Sequence, residues 1–233
     1  IRRMTTRKGV NSMRFFFGDV ETTGLRKPAK IVELCVVETD DQFNVLNTWE
    51  SRIDPEAPIE PGASGVHGLT NAMLVDEPTI EQFMEMHGYP LRTDGVLIAH
   101  NVAYDREFLG PHFESYETIC TLKCARILYP DAPDHKLQTL RFYLGLEADH
   151  SKAHTAGEDV SLLMQLAKKM CEDHDLTLSA LLEVQTRKRR ILNMPFGKHK
   201  GTALSDLPAD YRYWLLNKAD NLDADLRASL EAL

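Results

Sequence analysis

The stretch "FFFGDVETTGL", Phe15 to Leu25, decides the reading of this chain. It opens as an apolar strand and runs into two acids, Asp19 and Glu21. Side chains alternate between the faces of a strand, so Phe15, Phe17, Asp19 and Glu21 share one face. A carboxylate left unpaired in a buried site is costly even after relaxation and water penetration. This strand therefore ends in solvent, or something positive waits there.

The neighbouring sequence supplies more strands. "IVELCVVET" (31–39) has the β-branched content of a second, and "FNVLNTWESRI" (43–53) of a third. The polar "TDDQ" between them predicts a turn, so the three should be antiparallel neighbours. "DPEAPIEPGASG" (54–65) reads as a Pro/Gly-rich loop. Short helices are expected near Asn71 and over 79–87. "DGVLIAH" is an apolar run of the buried-strand kind, and "YETICT" a weaker fifth strand. Helical patterns occupy 103–109, 122–128, 137–144, 157–171 and 178–183. A meander followed by alternating strands and helices predicts an α/β fold with a mixed, roughly five-stranded sheet flanked by helices.

Two of those helices repeat the anomaly of the first strand. Leu163, Leu166 and Met170 form an apolar stripe that, carried back one turn, meets Asp159. Phe108 and Leu109 lie three and four residues beyond Asp105 and share its face. Each acid alone has an ordinary reading: a strand-end turn, a first-turn helix acid, a partner of the helix dipole. Together, Asp19, Glu21, Asp105 and Asp159 occupy core-facing positions on three elements, and they must repel unless a divalent cation neutralises them. All-oxygen ligation suits Mg²⁺ or Mn²⁺ better than zinc. His154, in "HTAGED", falls in a loop at the helix start. It is either a solvent-exposed loop residue or a base near the metals, since an unperturbed histidine titrates in the range useful for deprotonating water.

The bulk composition narrows the class. The 233 residues are 43% hydrophobic and 27% charged, with a net charge of −8. That balance excludes coating of duplex nucleic acid by bulk charge but allows a local basic surface. No apolar run reaches the length of a membrane span. The N-terminus is basic and lacks a signal-type apolar stretch; Met4 or Met13 reads as a possible start, with 1–12 a basic arm or a cloning remnant. Cys35, Cys120, Cys124 and Cys171 match no zinc spacing and read as reduced thiols of a cytoplasmic protein.

"DVETTGL", "AHNVAYDREFL" and "HTAGED", in this order, resemble the three motifs of the DEDD 3′–5′ exonucleases, in the branch with histidine in the third motif. "PIEPGASGVHGLTNAML" and "ICTLKCARILYPDAPDHKLQTL" resemble segments between those motifs. The tail "FGKHKGTALSDLPADYRYWLLNK" resembles the C-terminal extension of bacterial exonuclease X. "RKPAK" after Leu25 departs from the pattern and bears on substrate preference rather than chemistry.

The resemblance implies an RNase H-like exonuclease fold over 13–186. The composition changes after "TRKRR" (186–190), which sets a boundary there and makes 187–233 a small C-terminal module, with nucleic-acid binding its candidate role. It implies two-metal hydrolysis, with Asp19, Glu21, Asp105 and Asp159 holding two Mg²⁺ or Mn²⁺ ions and His154 accepting the proton of the attacking water. Val20, Thr22, Thr23, Gly24 and Leu25 would meet the terminal nucleotide, Leu25 as a wedge. Asn101, Phe108 and His67 are weaker substrate candidates, and His67 reads equally well as a loop-stabilising residue. Lys198 and Lys200, in the basic start of the tail, would face the phosphate backbone; the interleaved Phe196, Tyr211, Tyr213 and Trp214 are expected to stack on bases or to pack the tail on the main domain, with Tyr213 and Trp214 alternatively filling a small core. The expected activity is a 3′–5′ exodeoxyribonuclease acting on DNA 3′ ends, relevant to DNA repair. The alternatives are an exoribonuclease of the oligoribonuclease or RNase T kind, and a non-catalytic module that grips a nucleic-acid end or a protein. No membrane partner is expected.

Overall fold

A computed structural model describes residues 13–87, 95–109, 117–147, 155–219 and 221–233. The expected N-terminal arm and His154 lie outside the described residues. The Phe15–Phe17 run is apolar on both faces because its strand is central. β1 (Arg14–Thr22) lies third in the order β3-β2-β1-β4-β5, with β2 (Ile31–Thr39), β3 (Val45–Arg52), β4 (Gly95–Ala99) and β5 (Glu117–Cys120). The pairs β1·β2 and β2·β3 are antiparallel, whereas β4 runs parallel to β1 and β5 parallel to β4. The sheet is thus mixed and five-stranded, as the sequence predicts. β2 and β4 are buried at every position; β4 accordingly reads as an unbroken apolar run, whereas β2 is interrupted by Glu33 and Glu38.

The helices are α1 (Pro61–His67), α2 (Asn71–Leu74), α3 (Ile80–His87), α4 (Val102–Leu109), α5 (Thr121–Leu128), α6 (Leu137–Leu144), α7 (Ala156–His174) and α8 (Leu181–Val184). On one face of the sheet, Phe15, Phe17 and Ile98 pack against Leu163, Leu166 and Met170 of α7. On the other, Phe16, Val20 and Leu97 pack against Phe83 of α3 and Val102 and Leu109 of α4. Helix α1 corrects the expectation of a loop throughout 54–65. Proline is harmless at the first helical positions, where its missing N–H has no intrahelical partner, and Pro61 starts a helix there in spite of two internal glycines. All four cysteines are buried and free. Among the described residues no helix is long and apolar enough to cross a membrane.

The chain leaves this domain along the edge of β5. The Gln185 side-chain amide donates to the Thr118 carbonyl at 2.6 Å and accepts from the Cys120 N–H at 2.9 Å. Beyond it, Met194, Leu204, Leu207, Leu215, Leu226 and Leu230 close a separate aliphatic core with α9 (Ala209–Asn217) and α10 (Ala224–Glu231). The expected aromatic packing of the tail holds for Tyr211 and fails for Tyr213 and Trp214. Phe196, Tyr213 and Trp214 are 46%, 62% and 47% exposed. Each helical residue advances ~100° about the axis, so with Leu215 pointing inward Trp214 and Tyr213 are turned away from the core. Tyr211 alone comes back to the inner side, one turn before Leu215, and packs on the small core.

Candidate active site

The acids meet where β1 runs past the end of its pairing with β4 while still paired with β2. Asp19, Glu21 and Asp159 each place a carboxylate oxygen within 4.8 Å of the others. Asp19 and Glu21 come from one face of β1, two residues apart, and Asp159 from the first turn of α7, which packs on that face. Thr155 caps α7 by accepting the Glu158 N–H at 3.3 Å. Asp105 reaches the cluster from α4 on the opposite face of the sheet. It shares the buried side of α4 with Val102 and Leu109.

The electrostatics follow from this crowding. Burial first, then the charges of Asp105, Asp159, Glu21 and Glu33, hold the Asp19 carboxyl well above the usual carboxylate range. Burial and the charges of Asp159, Glu33 and Asp105 push Glu21 up to about 8. Burial raises Asp105 to about 7, against hydrogen bonds from its own amide and that of Val20. These are carboxylates that need a cation to ionise together. An all-oxygen donor set of this density fits a hard divalent ion.

Sequence reasoning missed three side chains that hold the cluster in place. Gln138 of α6 donates from Nε2 to Asp159 Oδ1 at 2.9 Å. Glu33 of β2, only 6% exposed, accepts the Ala156 N–H at 2.8 Å and pairs with Arg52 at 3.7 Å, seating the start of α7 on the sheet. Tyr104, the neighbour of Asp105, donates its hydroxyl proton to Thr22 Oγ1 at 2.6 Å. That direction follows because the Thr22 hydroxyl spends its own proton on the Gly24 carbonyl at 2.7 Å.

The turn after β1 is tied from several sides. Thr22 and Thr23 are buried, and the Thr23 N–H donates to the Lys30 carbonyl at 2.8 Å. Glu60 N–H donates to the Thr23 carbonyl at 2.8 Å. A Cβ on Gly24 would come within 2.5 Å of the Glu60 carboxylate, which would have to swing aside to admit it. His67 is buried. Its Nδ1 accepts the Leu69 N–H at 3.0 Å, which leaves the proton on Nε2 to donate to the Thr22 carbonyl at 3.2 Å. Burial keeps this histidine below its usual pKa and so neutral. Leu25 is 79% exposed at the tip of the turn. Val20 has its side chain in the core and its amide on Asp105. Asn101 is exposed in a left-handed conformation (φ 78°) at the start of α4. Phe108 packs beside Tyr104 and borders a pocket of about 300 Å³ together with Lys27 and Lys30. Lys198 and Lys200 belong to the C-terminal core's loop, with Lys198 Nζ 5.1 Å from the centre of the Tyr211 ring. The structure therefore brings together Asp19, Glu21, Asp105, Asp159, the Thr22–Leu25 turn and His67, and it places the two lysines in the other module.

The Exonuclease (RNase_T) family matches residues 16–167, which contain every one of these acids. The chain is a member of that exonuclease family. It is 30% identical over 221 residues to Exodeoxyribonuclease 10 of Escherichia coli (strain K12), covering 91% of this chain and 95% of that protein. The DNA polymerase III subunit epsilon of Buchnera aphidicola is 29% identical over 186 residues, 73% of this chain and 78% of that one. Among solved structures, exonuclease X in complex with 5′-overhanging duplex DNA has a TM-score of 0.56 at 25% identity, over 74% of this chain and 99% of that one. Escherichia coli exonuclease I with a dA16 oligonucleotide shares the fold, with a TM-score of 0.60 at 20% identity over 73% of this exonuclease and 42% of that chain. A separate, shorter match covers residues 185–221, to a family described as a putative quorum-sensing-regulated virulence factor.

Proposed function

We propose that this exonuclease removes nucleoside monophosphates from DNA 3′ ends by metal-dependent hydrolysis. The observation that carries the reading is the convergence of Asp19, Glu21 and Asp159 oxygens within 4.8 Å, with buried Asp105 beside them, in a member of an exonuclease family. The relative that matches nearly the whole chain is an exodeoxyribonuclease, which supports DNA over RNA. Asp19, Glu21, Asp105 and Asp159 would hold two Mg²⁺ or Mn²⁺ ions. Such ions supply charge neutralisation for an in-line displacement at phosphorus and an acidified water. The chain's own residues do the rest. Gln138 and Glu33 fix Asp159 and its helix. Thr22, Thr23 and Gly24 form the tied turn that receives the terminal nucleotide, with Leu25 exposed to press on its base. Tyr104 and His67 keep that turn in shape from its side-chain and main-chain sides. His154, next to the α7 N-cap, takes the proton of the attacking water. The proposed division is an exonuclease domain over 13–186 and a module over 187–233. The four free, buried cysteines support a reducing, cytoplasmic setting.

The test is release of mononucleotides from DNA and RNA oligomers of matched sequence, labelled so that the 3′ end is followed, with Mg²⁺ and with EDTA. Metal-dependent loss of the DNA 3′ nucleotide is expected. Binding without turnover would show a nucleic-acid-end grip, and faster RNA turnover would overturn the choice of substrate.

A further inference from the structure

Between the exonuclease domain and the C-terminal module lies a groove of about 310 Å³. Arg126, Pro133 and His135 form one wall, and Arg189, Arg190 and Lys200 belong to the other. Its lining holds four permanent cations and no carboxylate, in a chain whose net charge is −8. From residue 187 to residue 200 the sequence carries six lysines and arginines without one acid.

The cations are weakly compensated. Among the described residues, Arg126, Arg190 and Lys200 take part in no ion pair. Arg189 stands 3.9 Å from Asp223 and 3.8 Å from Asp225, yet its buried Nε finds no hydrogen-bond partner. The histidine in the wall adds no charge. Its Nε2 donates to the Tyr129 carbonyl at 3.0 Å, and burial with the charges of Arg126 and Arg189 lowers its pKa. The groove is thus lined to attract an anion.

Its position ties it to the carboxylate cluster. His135 lies three residues before Gln138, which touches Asp159. The His135 carbonyl is bonded at 2.8 Å to His100 Nε2, and His100 directly precedes Asn101 and α4. β4 runs parallel to β1, so His100, just past β4, and Asp19, two residues beyond the last β1·β4 pair, lie toward the same end of the sheet. The tail exposes Phe196, which follows the groove-lining Pro195, and Trp214, which stacks at 5.8 Å and 20° on Tyr211, the ring beneath Lys198.

We propose that this groove holds the phosphodiester backbone of the substrate strand on the 5′ side of the scissile nucleotide, with its bases directed to the exposed aromatic rings of the tail. Cations that track a backbone beside rings that accept any base are how single strands are gripped without regard to sequence. The inference rests on the function proposed above, since it takes the strand entering the carboxylate cluster as the occupant. It makes the tail a second anchor that retains a strand between successive cleavages.

The test uses the full chain with Arg126→Gln and Arg190→Gln, one from each wall, alone and combined, and the charge reversal Arg190→Glu. Binding of a fluorescent oligothymidylate of about 20 nucleotides is read by anisotropy in EDTA over a range of salt. The double variant should bind about tenfold more weakly and lose about 1.4 from the slope of log affinity against log salt, the share of two phosphate contacts. With Mg²⁺, KM should rise for the long strand, kcat should hold, and products should appear after more dissociation events. A p-nitrophenyl ester of thymidine 5′-phosphate, too short to reach the groove, should show no change. Melting temperatures verify folding. Unaltered affinity and salt slope in the double variant and in Arg190→Glu would overturn the assignment. Because binding is read without turnover, absence of hydrolysis in the wild type would sink the proposed activity, while this inference would still stand or fall on the salt slope.

Discussion

At Asp19 burial and like charge both oppose ionisation. This has a measurable signature in the metal-free protein. Folding raises the pKa of Glu21 to about 8 and of Asp105 to about 7. Their contribution to stability is complete below the ordinary carboxylate range near pH 4 and is lost as pH rises through those folded values. The melting temperature in EDTA should therefore fall between about pH 5 and pH 9, and Mg²⁺ should abolish most of that fall. A flat profile in EDTA would mean that the acids do not share one site. Asp19→Asn should remove hydrolysis and raise the metal-free melting temperature, since it deletes repulsion together with function. His154→Ala should slow hydrolysis by about 10²–10⁴, the usual contribution of a general base, and the wild-type rate should fall on the acid side as the histidine protonates. An unaltered rate would return His154 to an ordinary loop role. The four acids were legible in the sequence because each breaks an apolar pattern at a fixed spacing. Gln138 breaks none, and Glu33, which does interrupt the apolar run of β2, went unread because its partner is distant. Glu33 finds the Ala156 amide 123 residues away, and nothing local marks such a partner.

The helices and strands repeat this division between local and distant causes. β1, β2 and β4 were readable from their apolar runs, and α7 from its stripe, because periodicity alone fixes them. α1 was hidden: its glycines argue for a loop, and only the tertiary contacts of Glu60 and His67 with Thr22 and Thr23 settle it as a helix. The seat of α7 predicts the effect of altering β2. Glu33→Ala strands the Ala156 amide and the Arg52 guanidinium, and should cost about 1–3 kcal/mol with a loss of Mn²⁺ affinity measured by titration calorimetry. Glu33→Gln keeps an acceptor for the amide and should retain more of both. Equal behaviour of the two variants would show that the hydrogen bond to α7 contributes nothing. Tyr104→Phe tests the other strut. Losing one hydroxyl should cost about 0.5–1.5 kcal/mol in stability and raise KM for DNA more than it lowers kcat, because it loosens the nucleotide turn and leaves the acids in place.

At the scale of the whole molecule, the sheet domain and the C-terminal module keep separate cores, and they should fail separately. The C-terminal core is small, so Leu215, fully buried at its centre, has few neighbours to share its loss. Leu215→Ala should destabilise that module by about 2–5 kcal/mol and split thermal unfolding into two steps, with the nuclease domain melting near its original temperature. A single, uniformly lowered transition in calorimetry would show that the two cores unfold as one. The sequence announced this second unit through its change of composition after residue 187, but not that its aromatic rings face outward, because the side of α9 that points inward depends on which leucine finds the core first. The path between the two units has a further effect. An uncovered outer strand is a template on which another chain can grow a ribbon. On β5 that template is occupied, because the Gln185 amide imitates a peptide group and engages the Thr118 carbonyl and the Cys120 N–H. The same side chain that leads the chain out toward its tail therefore blunts one margin of the sheet against fibril-like addition, and Gln185→Ala should leave a protein that hydrolyses normally when fresh but aggregates sooner on storage.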